Sequence, residues 1–66
     1  MKVQSLPGFE DNMAFISNFT QDEYIDVLNM TKGDGPINRI QILGQGKVLW
    51  FTSSKELLIF LMRYGS

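Results

Sequence analysis

The sequence predicts a small α+β domain: a small antiparallel sheet carrying two helices on one face, in the order β-β-α-β-β-α. Three observations predict it. Thr20-Gln21-Asp22-Glu23 and Ser53-Ser54-Lys55-Glu56 each place a glutamate three residues after a hydroxyl, the spacing of a helix capping box. Between them, two β-rich runs flank Gly44-Gln45-Gly46, a hairpin signal. The chain has 66 residues, 44% of them apolar, so residues 1–66 read as a single domain.

Met1 to Leu6 reads as a strand ended by Pro7-Gly8. Met13 to Phe19 fits either a strand or a short helix with Phe9, Met13 and Ile16 on one side. A weak internal echo favours the strand. Met13 to Lys32 and Gly46 to Gly65 lie 33 residues apart. Both run from an apolar stretch through a hydroxyl cap and a glutamate to a helix that stops near glycine. Such punctuation also recurs in α+β chains that contain no repeat, so the echo admits both readings.

The first helix starts at the Thr20 cap, with Phe19 and Tyr24 spaced as a hydrophobic staple. Asp22 and Glu23 put negative charge at the positive end of the helix dipole. The helix is expected to run to Thr31 or Lys32 and to stop at Gly33-Asp34-Gly35-Pro36. Val27, Tyr24, Leu28 and Ile25 share an arc of about 160°, leaving Asp22, Asp26 and Asn29 to face water.

The hairpin joins Ile37–Leu43 to Lys47–Thr52. A two-residue turn at Gln45-Gly46 pairs Leu43 with Val48, Ile42 with Leu49, and Ile40 with Phe51. One face is then Ile40, Ile42, Leu49 and Phe51, all apolar. The other is Arg39, Gln41, Leu43, Val48, Trp50 and Thr52, which is mixed. A three-residue turn divides the residues less cleanly, setting Ile40 and Ile42 beside Val48 and Trp50.

The second helix runs from the Ser53 cap to about Tyr64 and ends at Gly65. Phe60, Tyr64, Leu57, Leu61, Leu58 and Met62 span about 200°, with Ile59 on the far side beside Arg63 and Glu56. One sheet in so short a chain covers one side of such a helix. The flank of Leu58, Ile59 and Met62 therefore calls for another cover. A second copy of the chain supplies one, most simply as a symmetric homodimer. The N-terminal segment, with Phe9 and Phe15 wrapped over the flank, supplies the other.

Composition narrows the function. Without cysteine or histidine there is no disulfide framework, no thiolate or imidazole zinc site, and no histidine-based nucleophilic triad. Gly44-Gln45-Gly46-Lys47 has Gln41 and Val48 where a phosphate loop needs glycine and a hydroxyl. Gly33-Asp34-Gly35 lacks the spaced acidic ligands of a calcium loop. Asp22 and Asp26 share a helix face, but water-facing carboxylates are poor general acids and bases. The reading is of a non-enzyme with no catalytic residue, metal or cofactor.

Charge is uneven. Lys2 and Lys32 against Glu10, Asp11, Asp22, Glu23 and Asp26 leave residues 1–33 acidic, while Arg39, Lys47, Lys55 and Arg63 against Asp34 and Glu56 leave residues 34–66 basic. Arg39, Lys47 and Trp50, taken together on the mixed sheet face, suggest a nucleic-acid-binding accessory protein as the alternative reading. A net charge of −1 and only 6 lysines and arginines weaken it, because phosphate neutralisation supplies most of that affinity. No stretch has the length of a signal peptide or membrane span, so a cytoplasmic protein without membrane association is expected. The sequons at Asn18 and Asn29 then read as chance matches.

The expected function is a small protein-interaction module, a regulator or inhibitor that binds another protein and self-associates. Arg39, Gln41 and Trp50 form the expected partner surface, since Trp and Arg concentrate at interface hot spots. Trp50 as a core residue is the competing reading. Leu58, Ile59 and Met62 form the expected self-association seam.

Overall fold

The computed structural model describes residues 1–65. Its elements are β1 (Lys2–Gln4), β2 (Met13–Ser17), α1 (Gln21–Asn29), β3 (Ile37–Leu43), β4 (Gly46–Phe51) and α2 (Ser54–Tyr64). The four strands form one antiparallel sheet in the order β1-β2-β4-β3. The α+β class and the β-β-α-β-β-α order are those the sequence predicts. Residues 13–17 are a strand, and β1 is shorter than Met1–Leu6. A turn closed by the Phe9 amide on the Leu6 carbonyl follows β1.

Alternation in the strands sets the two faces. Ala14 and Ile16 of β2, Leu49 and Phe51 of β4, and Ile37 of β3 turn inward, joined by Val27 of α1 and Phe60 of α2. This one cluster, with both helices on the same side of the sheet, is the core. Phe60 anchors α2, its ring 5.2 Å from Phe51 and 5.0 Å from Tyr64. Asn12 secures the end of β4, donating through its side-chain amide to the Phe51 carbonyl and accepting from the Phe51 amide.

Both caps form, unequally. The Thr20 hydroxyl accepts from the Glu23 amide at 3.1 Å, and the Glu23 carboxylate accepts from the Thr20 amide at 2.8 Å. Phe19 stacks on Tyr24 at 5.3 Å, completing the staple. At α2 the Ser53 hydroxyl accepts from the Glu56 amide at 3.3 Å. α1 stops at Asn29 rather than Thr31 or Lys32. The Thr31 amide and hydroxyl both bond the Leu28 carbonyl, and Ile37 donates to the Met30 carbonyl, so the chain leaves the helix early.

The β3–β4 turn is Gly44-Gln45, not Gln45-Gly46. Leu43 pairs with Gly46, Ile42 with Lys47, and Ile40 with Leu49. The cause is backbone geometry: the first turn position has positive φ, which Gly44 adopts at +60° without steric cost. The register therefore slips by two residues, and both faces survive because strand alternation has a period of two. Thr52 lies beyond the end of β4.

Candidate functional site: the open sheet face

The side of the sheet away from the helices is uncovered. Pairing sets Trp50 between Met13 and Arg39, and Val48 between Phe15 and Gln41. The Arg39 guanidinium lies 4.6 Å over the Trp50 ring and donates to the Gln41 side-chain carbonyl at 3.4 Å. The structure thus brings Arg39, Gln41 and Trp50 together. Trp50 is half-buried on this open face, outside the core between sheet and helices. Val48 is only 4% exposed although no helix covers it, so its cross-strand neighbours close over it. Val48, which the sequence sets on this face, is joined by Met13 and Phe15 in an apolar floor; sequence reasoning passed over the last two, although their alternation with Ala14 and Ile16 was the available signal.

Lys47 is not on this face. It pairs with Ile16 and Ile42 on the helix side, and its ammonium sits 5.6 Å from the Tyr24 ring. Position 47 is odd in a strand whose open-face residues are 48 and 50, so it cannot join Trp50 and Arg39. None of the four strands carries an acidic residue. The charged side chains that alternation assigns to the open face are Lys2 and Arg39, both positive.

A second apolar surface lies on α2. Leu58, Ile59 and Met62 are 60%, 51% and 85% exposed. The N-terminal segment does not cover them, because Phe15 faces the opposite side of the sheet. Ile59 and Met62, three positions apart on one helix, are neighbours, so the three form one exposed strip with a cleft on each side. Leu58 and Met62 border a cleft of about 720 Å³ against Met1, Lys2 and Val3. Ile59 borders a smaller one of about 200 Å³ between α2 and Met30 and Pro36. Ile25, Leu28, Ile42 and Leu43 are further exposed apolar side chains. Ile25 and Leu28 were expected to face inward, but α1 rests on Val27 and Tyr24, and the sheet does not reach its shoulder.

Asp26, expected to face water, instead links the helices. It accepts a hydrogen bond from the Tyr64 hydroxyl and pairs with Arg63 at 3.2 Å. That bond to a carboxylate, helped by burial, raises the Tyr64 pKa above its usual value. Glu23 is shifted the other way: the bond from the Thr20 amide lowers its pKa, with the Met1 ammonium 3.3 Å away adding to the effect. Asp26 is thus taken up by Tyr64 and Arg63, and Gly44-Gln45-Gly46-Lys47 is a hairpin turn with no helix N-terminus at it. Among the described residues no three acidic side chains converge as a metal-ligand set, and no helix is long and apolar enough to cross a membrane.

The fold and site define a two-layer α+β domain with one bare sheet face. No protein-family model, curated protein or solved structure matches the chain.

Proposed function

We propose that the protein is a non-enzymatic interaction module, a regulator or inhibitor, that docks another protein on the open sheet face around Trp50. The observation that carries this reading is the packed group of Arg39, Trp50 and Gln41 on a bare sheet whose floor is Met13, Phe15 and Val48. An amphipathic aromatic ring held by a guanidinium is a rigid anchor that loses little conformational entropy on binding. The exposed α2 residues Leu58, Ile59 and Met62 support self-association as a homodimer. A cytoplasmic setting belongs to the same reading, in keeping with the lack of a stretch of signal-peptide or membrane-span length among the described residues.

One observation favours nucleic acid as a second reading: Phe15 and Trp50 stand on the two central strands, and no strand carries a carboxylate. Protein is preferred because that face offers only Lys2 and Arg39 as cations, with Lys47 on the far side.

Affinity capture from the source cell, or from its host, with wild type, Trp50→Ala and Lys55→Glu as baits tests the proposal. A stoichiometric protein retained by wild type and Lys55→Glu but lost with Trp50→Ala supports it. Retention of the same protein by Trp50→Ala contradicts it. Capture of nucleic acid that disappears steeply with added salt replaces it by the second reading.

A further inference from the structure

We propose that β1 is the edge at which two copies of the chain meet, paired antiparallel along Lys2–Gln4 beneath the shoulders of their α2 helices. This rests on the self-association proposed above and specifies its geometry. β1 is an outer strand, so one side of its backbone has no strand partner. Above that edge, Leu58, Leu61 and Met62 of α2 line one cleft with Met1, Lys2 and Val3. The free edge and the most exposed part of the α2 flank are therefore the same place.

A second copy brings what the cleft lacks. It offers an edge with the same unpaired backbone and an apolar shoulder of the same kind, and a two-fold contact covers both at once. The charges agree. With the pairing centred on Val3, Lys2 of each copy stands opposite Gln4 of the other, so no like charges meet. Val3 pairs with the buried Ile16 and so lies on the helix side, placing the two Val3 side chains under the two α2 helices. The other outer strand, β3, is broken by an irregularity between Ile37 and Arg39, a feature that hinders edge pairing.

The chain has no native cysteine, so introduced thiols report cleanly. Lys2→Cys and Gln4→Cys are prepared separately, oxidised alone and as a mixture, and the disulfide-linked dimers are quantified. The mixture is expected to cross-link several-fold more than either variant alone. In sedimentation, Met62→Glu is expected to raise the dimer dissociation constant at least about tenfold while its circular dichroism stays native. A dimer that cross-links equally in all three samples, or only through Ile59→Cys, overturns the edge pairing and leaves self-association standing. A wild type that stays monomeric at high micromolar concentration overturns both.

Discussion

Phe15 and Val48 face each other across the two central strands, and they stand 33 residues apart in the chain. The β2–β4 pairs run from Met13 with Trp50 to Ile16 with Lys47, and a shift of 33 residues carries β2 and α1 onto β4 and α2. The shift takes Thr20 to Ser53, Ile16 to Leu49, and Val27 to Phe60, matching cap with cap and buried residue with buried residue. The strand–helix pair β2–α1 thus recurs as β4–α2, whereas the same shift sets β3 on residues 4–10 and not on β1. Several consequences can be measured.

Leu49→Ala is expected to cost about 2–5 kcal/mol, because Leu49 is fully buried between its strand neighbours and the helices. Met62→Ala, at a site 85% exposed in the single chain, is expected to stay within about 0.5 kcal/mol at concentrations too low for self-association. A core this small supplies roughly 3–5 kcal/mol in all, so urea titration followed by circular dichroism should find the first variant largely unfolded in buffer and the second near wild type.

The hairpin glycines separate two kinds of cost. At Gly46 an added Cβ would run into the Ile16 carbonyl and the Phe15 ring, and the carbonyl belongs to a central strand that cannot yield. At Gly44 it meets nothing, and only the φ of +60° is strained, at about 1–2 kcal/mol. Gly46→Ala should therefore lower the melting temperature more than twice as far as Gly44→Ala. Equal shifts would mean that the strands part easily at this end.

Glu23 makes stability depend on acid. Its folded pKa lies below the ordinary 4.5, so its contribution is present above that pH and is lost as pH falls through the folded value. Glu23→Gln should flatten the stability profile in that range. Thr20→Ala, which removes the other half of the cap, should cost about 1 kcal/mol at neutral pH. A wild-type profile that is flat below pH 5 would contradict the role assigned to the Glu23 carboxylate.

Tyr64 acts at the alkaline end. Its hydroxyl is held protonated by the bond to Asp26, so its folded pKa lies above 10.0. The stability it adds is complete below that pH and is lost as pH rises through the folded value. Ultraviolet titration should show one of the two tyrosines ionising late, and Tyr64→Phe should abolish the late phase. That variant should also cost about 1–2 kcal/mol, the worth of a half-buried bond to a charged acceptor.

Much of this was legible in the residues, and the gaps have physical causes. Thr20 with Glu23, and Ser53 with Glu56, announce helix starts because capping is local chemistry. Ile40, Ile42, Leu49 and Phe51 share a face with either two-residue turn, Gln45-Gly46 or Gly44-Gln45, so the faces were readable while the turn was not. The turn depended on which glycine takes positive φ. Met13 to Phe19 is apolar at too many successive positions for periodicity to separate strand from helix. Lys47 was grouped with Arg39 and Trp50 by nearness in sequence, although alternation turns it to the other side. That Leu58 and Met62, but not Ile59, border the cleft beside β1 depends on where β1 lies, a long-range pairing that no local pattern records.

Hydroxyl-radical footprinting of the protein, alone and bound to a protein captured through it, tests the account most directly. Oxidation of Trp50, Phe15 and Met13 should fall sharply in the complex, while that of Tyr24, on the helix side, should not change. Unaltered oxidation at Trp50 and Phe15, with protection confined to the helices, would contradict the assignment of the bare sheet as the binding surface.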